Sequence, residues 1–442
     1  MGANRTGDAA ATGEADRARR RDFGLLFVVM LTVAAGNTAM QSVLPALGRS
    51  LGVKDSAVAA AFSVSAAIWV FAAPFWAKRL DLYGQRRLVI TGMIGFTVST
   101  LACGLFLAAG ILGWISPVAA FLSFIVGRLI YGAFGSATPP AAQAMVAART
   151  SRAERTKALT MLASAFGLGT ILGPALSPYL LLPVVTMAGP AFVFTIIGIV
   201  VVVAAARLLP DDRPGEDGDD DARGAAVAYP TIGGQSSGAS VNAAMAGPSR
   251  EVRLRDPRIW PWMLAGLVMG HAQAMTGQTI GFLLIDRLGG SLGDALQSTG
   301  LVLMMGAGAA LLAQWGLIPI LNLAPRALML VGLALSALGC LLLGFADSLH
   351  GIATAYALAS LGFGFTRPGF TAGSSLAVGP NEQGSVAGKT TAINGAAFVL
   401  GPSLGVGLYE LWRPLPYGIA AAALVLLIAY VWFSLRPSVP EA

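Results

Sequence analysis

The chain has little of what soluble enzymes are built from. Charged residues make up 12% of its 442 positions, against about a quarter in soluble domains. It has two histidines, His271 and His350, and two cysteines, Cys103 and Cys340. No His/Cys cluster has metal-ligand spacing, so no metal site is expected, and the two distant cysteines argue no disulfide. Both read as small buried packing residues. An enzyme would need a nucleophile–base pair or a metal cluster, and neither is offered. Carboxylates are scarce where they would matter most. None lies deep within an apolar run, the nearest being at ends: Asp22, Asp286, Asp347 and Glu410. The first 22 residues are polar and lack a signal-peptide core, so the first apolar run is expected to be retained.

What is abundant is apolar sequence. Hydrophobic residues reach 55%, with mean hydropathy +0.71. The runs cover roughly 23–47, 56–77, 88–109, 118–145, 156–182, 186–209, 259–285, 294–320, 327–346, 351–378, 385–411 and 415–435. Each suits a helix crossing a hydrocarbon layer about 30 Å thick. Lipid demands internally satisfied backbone, and the runs do not alternate as barrel strands would. The expectation is an all-α integral membrane protein with twelve transmembrane helices. The net charge of +7 could suggest nucleic acid, but its distribution does not. With the N-terminus inside, 23 of the 29 Lys and Arg fall on the inner side. Four fall outside (Arg49, Lys54, Arg287 and Arg413) and two within helices, Arg128 and Arg367. That is the positive-inside pattern. It places both termini in the cytoplasm and makes the bilayer, not a polyanion, the partner.

Residues 210–258 interrupt the apolar pattern. The acidic DDRPGEDGDDDARG and the polar GGQSSGAS are read as a flexible cytoplasmic linker without a core. The domains follow: a tail at 1–22, a six-helix bundle at 23–209, the linker at 210–258, a second bundle at 259–435 and a tail at 436–442. The halves echo each other. NTAMQSVLPALGRSLG (37–52) pairs with QTIGFLLIDRLGGSLG (278–293), RRLVITG (86–92) with RALMLVG (326–332), GSATPP (135–140) with GFTRPG (364–369), and GLGTILGPAL (167–176) with GAAFVLGPSL (395–404). Four echoes in chain order imply a duplicated unit. The two pseudo-symmetric bundles should enclose a site near the bilayer midplane, as transporters do.

Three motifs sharpen this. AKRLDLYGQRR (77–87) joins the second and third runs through a short basic turn. GRLIYGAFGSATPP (127–140) puts Arg128 about 16 Å into the bilayer at 1.5 Å per residue. An arginine at that depth costs at least about 2.5–3.5 kcal/mol and needs a polar partner or cavity. LGTILGPALSP (168–178) places Gly169 and Gly173 on one face, where they permit close helix approach. Pro174 and Pro178 bend or stiffen the same helix.

In these motifs the chain resembles the major facilitator superfamily. Asp81, Gly84 and Arg86 match its loop signature Gly-x-x-x-Asp-Arg-x-Gly-Arg-Arg, while Ala77, Leu82 and Gln85 depart from it. The resemblance implies a gating latch in which Asp81 faces the start of helix eleven, near Ser385. The second-half loop ILNLAPRAL lacks both Asp and Gly, so the latch should be one-sided. Arg128, Gly132 and Gly135 match the fourth-helix motif, whose arginine serves proton movement or substrate binding. Gly169, Gly173 and Pro174 match the helix-five signature of drug/proton antiporters.

Polar residues inside the runs are the candidates for a cavity: Asn37 and Gln41, which share a face of helix one, His271 and Gln278 on helix seven, which with Met275 follow the same one-face spacing of i, i+4 and i+7, Arg367 on helix ten and Asn394 on helix eleven. For each the alternative is packing or interhelical hydrogen bonding, and Arg367 could also snorkel. Two buried arginines without a deep carboxylate favour a neutral or anionic amphiphile over a cation. The expected function is proton-coupled efflux of such a compound, by alternating access in the cytoplasmic membrane. Arg128 and His271 are the proton-coupling candidates, histidine because its ordinary pKa lies near 6.5. The alternatives are a proton-coupled symporter taking up an organic acid, and a membrane receptor or membrane-embedded enzyme. No cofactor is expected beyond the proton gradient, and a monomer is expected.

Overall fold

The computed structural model describes residues 3–211, 220–232 and 250–435. Twelve long helical segments run through it. Helices one to three are Ala3–Ser50, Asp55–Ala77 and Gln85–Ile111. Helix four is Pro117–Ala133, continued through a 3-10 turn, Gly135–Ala137, into Thr138–Ala148. Helices five and six are Arg152–Leu176 and Gly189–Leu208. Helix seven is Trp260–Leu288. Helix eight is Leu292–Leu311, extended by a π turn, Leu312–Leu317, to Ile318–Leu321. Helices nine to twelve are Pro325–Phe345, Leu349–Leu376, Gln383–Leu411 and Leu415–Ser434.

Ten of the twelve are long and apolar enough to cross a membrane by length and composition. Helices seven and ten are the exceptions, and the reason is what they carry. His271, Gln273 and Gln278 on seven are strongly polar, and Thr366, Arg367 and Thr371 on ten are buried polar residues. A helix can carry such groups through lipid when they turn toward the protein interior.

The helices depart from the sequence reading at three places. Helix one begins at Ala3, not near 23. Helix four is not continuous over 118–145. Its break falls where helix three comes closest: a side chain at Gly95 would meet Gly135 N at 3.1 Å, and one at Gly92 would meet Thr138 N at 2.7 Å. Pro139 and Pro140 sit in the first turn of the next segment, where a missing N–H costs nothing. Helix eight is likewise broken, by the π turn.

Gly169 and Gly173 face helix one. A Cβ on Gly169 would lie 2.6 Å from Leu31 O, and one on Gly173 would overlap Ala35 O and Thr38 Oγ1. Thr38 Oγ1 donates to Gly169 O at 3.3 Å, closing the contact. Gly173→Ala is therefore expected to destabilise by roughly 1–3 kcal/mol, because backbone cannot yield as a side chain would. Gly167 has nothing within 4 Å, so Gly167→Ala should be neutral or stabilise by up to about 1 kcal/mol through helix propensity. Thermal unfolding of the two purified variants checks the opposite signs.

The halves meet differently at the two ends of the helices. At one end, helices five and eight touch: a side chain on Gly300 would sit 2.6 Å from Pro174 O and 3.3 Å from Pro178 Cγ. There Arg49 of helix one bonds Asp286 of helix seven, Nη2 to Oδ2 at 3.1 Å, and Asp55 of helix two, Nη2 to Oδ2 at 2.6 Å. Tyr409 Oη donates to Asp286 Oδ2 at 2.8 Å. At the opposite end lie the 77–87 loop and the segment connecting the halves. Here Arg86 is held by Asp211 and Ala206 O at the end of helix six. Gly84 has φ 80° and ψ 152°, a conformation essentially confined to glycine. That is the physical reason the loop signature needs it.

The connecting segment is not without a core. Asp220–Val227 is helical, and Ala225, Ala226, Ala228 and Ile232 are buried. The expectation of a linker that buries nothing fails for 225–232. The acidic residues at 212–219 and the GGQSSGAS stretch lie outside the described residues. The reason is composition: AAVAYPTI is apolar, and its neighbours mask it in any average over 210–258.

Candidate functional site

A cavity of about 470 Å³ lies between the halves. Helices one, five, seven, eight, ten and eleven all contribute to its wall. Gln41, Gln273, Gln278, Gln314 and Arg367 supply polar groups, and Phe363, Phe398 and Trp315 supply apolar ones. Thr160 and Ser164 of helix five and Ile318 of helix eight line its connector end. At the Asp286 end the same two helices close on each other through Pro174 and Gly300. The cavity is thus walled at one end and approached from the other. Its volume lies in the range of about 300–1,000 Å³ that suits a drug-sized organic molecule.

The buried cations sit in two separate polar clusters. Arg367 donates to Gln273 Oε1, and to Asn394 Oδ1 at 3.4 Å. It is 3% exposed yet lines the cavity, so it does not snorkel. Arg128 belongs to the other half. Its Nη2 donates to Asn37 Oδ1 at 2.7 Å. Its guanidinium lies 5.2 Å from the Phe62 ring centre and 4.9 Å from that of Tyr131, within the reach of cation–π attraction. Its Nε, fully buried, has no hydrogen-bond partner. Asn37 in turn donates from Nδ2 to Ile232 O at 2.7 Å, so the cluster ends on the connecting segment.

The structure brings Gln41, Gln278 and Arg367 to the cavity wall, with Asn394 bonded to Arg367. Asn37 and Arg128 form a pair beside it. His271 stands apart. Its Nδ1 bonds Leu267 O at 2.8 Å, and the ring faces a small crevice shared with Ile419, Ala420 and Ala423 of helix twelve. Seven residues leave His271 only about 20° from Gln278 around the helix, at the edge of the Gln273, Ala274, Gly277 and Gln278 arc that lines the cavity, and helix twelve covers it there. Gln273 is the residue the sequence reading missed. It lies two residues after His271 and five before Gln278 on the same helix, which was a visible signal. Asp81, Gly84 and Arg86 sit at the connector end, remote from the cavity wall.

This fold and cavity define a class: a twelve-helix, two-bundle membrane protein with an approachable hollow between its halves. The chain belongs to the Major Facilitator Superfamily, whose sequence profile it matches over residues 26–388 and again over 320–442. It is 25% identical over 213 residues to the probable actinorhodin transporter of Streptomyces coelicolor, covering 47% of this chain and 34% of that protein. It is 28% identical over 159 residues to the class B tetracycline resistance protein of Escherichia coli, covering 35% and 36%. The chain thus spans about a third of the length of these relatives. The solved structure of the human organic anion transporter MFSD10 (TETRAN) superposes with TM-score 0.63 at 19% identity, covering 93% of this chain and 99% of that one.

Proposed function

We propose that the protein is a proton-coupled exporter of a neutral or anionic amphiphile, resident in the cytoplasmic membrane with the connector end facing the cytoplasm. The observation that carries the substrate charge is the cavity wall. Among the described residues lining it there is a guanidinium, Arg367, and no carboxylate. A cation there would meet like charge in a low-dielectric setting, whereas an anion would gain a charge-assisted hydrogen bond. The relatives support export: one is named a probable actinorhodin transporter and another a tetracycline resistance protein.

The test is transport in proteoliposomes under an imposed pH gradient, with a panel of amphiphilic acids, neutral compounds and quaternary amines of similar size. Acids or neutral compounds should accumulate with the gradient, and the amines at least about tenfold more slowly. Rates indifferent to the gradient would remove the proton coupling. Faster movement of the amines would overturn the charge assignment.

A further inference from the structure

We infer that residues 225–232 form a displaceable wedge, a piece of the protein's own chain that occupies the connector-end cleft between the halves. It must withdraw before that end can close. The inference rests on the transport reading above but concerns a part of the chain that reading does not use.

The wedge is built on both sides. Ala225 and Ala226 pack with Ala141, Ala144 and Met145 of helix four in a single apolar cluster that also takes in Ile232. Gln143 on the same helix, with its amide oriented to satisfy its neighbours, donates to Ala225 O at 3.0 Å and Ala228 O at 2.7 Å. On the other half, Ala228 packs with Ala387 of helix eleven. A side chain added at Gly388 would lie 2.9 Å from Val227 Cγ1. Tyr229 and Thr231 line a small hollow with Trp69 and Val70 of helix two and Thr391 of helix eleven. Burial pushes the Tyr229 phenol well above its ordinary pKa.

The tip reaches the polar cluster. Ile232 O accepts the Asn37 amide, and Asn37 holds Arg128. A backbone carbonyl therefore occupies the acceptor position of that cluster. Any ligand that engages Asn37 from this side must displace it. Alternating access adds a second demand. Closing the connector end brings helices two and four toward helix eleven, into the volume the wedge fills. Interiors pack too densely to absorb eight residues, so closure and wedge exclude each other. The wedge biases the resting protein toward the state with the connector end apart.

The test is a cross-link. Val227→Cys with Gly388→Cys, in a Cys103→Ala/Cys340→Ala background, should form a disulfide on addition of copper phenanthroline. Transport should fall at least tenfold and return with dithiothreitol, while each single-cysteine variant keeps its rate. A second measurement does not require transport. Ala225→Asp/Ala226→Asp should expel the wedge and raise labelling of Thr391→Cys by an impermeant maleimide at least tenfold from the connector end. Failure to cross-link, cross-linked protein that transports at the uncross-linked rate, or unchanged Thr391→Cys labelling would overturn the wedge. A background protein that transported none of the panel would instead count against the proposed function, with cross-linking and labelling still reporting on the wedge.

Discussion

Arg128→Met is expected to lower transport at least about a hundredfold while leaving the melting temperature within a few degrees of the parent. The two halves of that expectation have different origins. Burying a guanidinium is costly, and an apolar residue of similar volume at such a site is often neutral or stabilising. Against this, Asn37 loses the donor to its Oδ1, and an orphaned buried acceptor costs about 1–3 kcal/mol. The rings of Phe62 and Tyr131 also lose a cation, worth roughly 0.5–2 kcal/mol. These terms oppose the desolvation gain and nearly cancel. Transport has no such compensation if the guanidinium engages substrate or proton. Arg128→Lys should also fail, because an ammonium cannot bond Asn37 and lie along two rings at once as a planar fork does. Thermal unfolding and proteoliposome flux, measured on the same preparations, separate the outcomes. A collapsed melting temperature would make Arg128 a packing residue, and wild-type flux in Arg128→Met would remove it from the mechanism.

The bundle architecture was legible because it rests on counting. Twelve apolar runs, a polar interruption after the sixth and four ordered echoes need no side-chain geometry. The motif glycines were legible for a related reason: Gly84 and Gly173 are required by backbone conformation and backbone contact, which a sequence shows as a glycine where the pattern offers no other use. Cavity membership was harder. His271 and Gln273 are two residues apart, so about 200° apart around a helix with 3.6 residues per turn. Only the packing of helix twelve decides which of them faces inward. The seven-residue rule that grouped His271 with Gln278 picks a face and not the neighbour that face meets. The segment 225–232 was hidden for a third reason. Its eight residues are too short to be an apolar run, and acidic residues on one side and glycine and serine on the other outweigh them. Pairing across the fold, such as Asn37 with Ile232 over 195 positions, leaves no local trace.

Asp286→Asn is expected to shift the balance between the two open states toward the one open at the Asp286 end. The carboxylate stands where the halves are tied. It takes Arg49 from helix one, Tyr409 from helix eleven and, at 3.4 Å, the Nε of Arg413. Its side chain is only 10% exposed, so water replaces these partners poorly. Ser56 N bonds Glu410 Oε1 nearby at 2.8 Å, a second tie from helix two to helix eleven. Opening this end must break the Arg49–Asp286 contact, because its partners lie in different halves. An amide keeps the volume and still accepts from Tyr409, but it gives up the charge. Hydrogen bonds to charged groups contribute about 1.5–3 kcal/mol, and Arg49, 27% exposed and still paired with Asp55, loses less than a fully buried cation would. A net change of about 1.4–2.7 kcal/mol corresponds to a shift of roughly 10–100-fold. Thr299, a buried cavity residue on helix eight, reports it. Thr299→Cys, with Cys103 and Cys340 replaced by alanine, should react that much faster with an impermeant maleimide applied at the Asp286 end. Asp347→Asn is the control. Its partner Arg287 belongs to the same half, and its side chain is 80% exposed, so that contact rides with the bundle and resists nothing. Equal acceleration in both variants would mean that lost surface charge, rather than a broken tie between the halves, exposes Thr299→Cys.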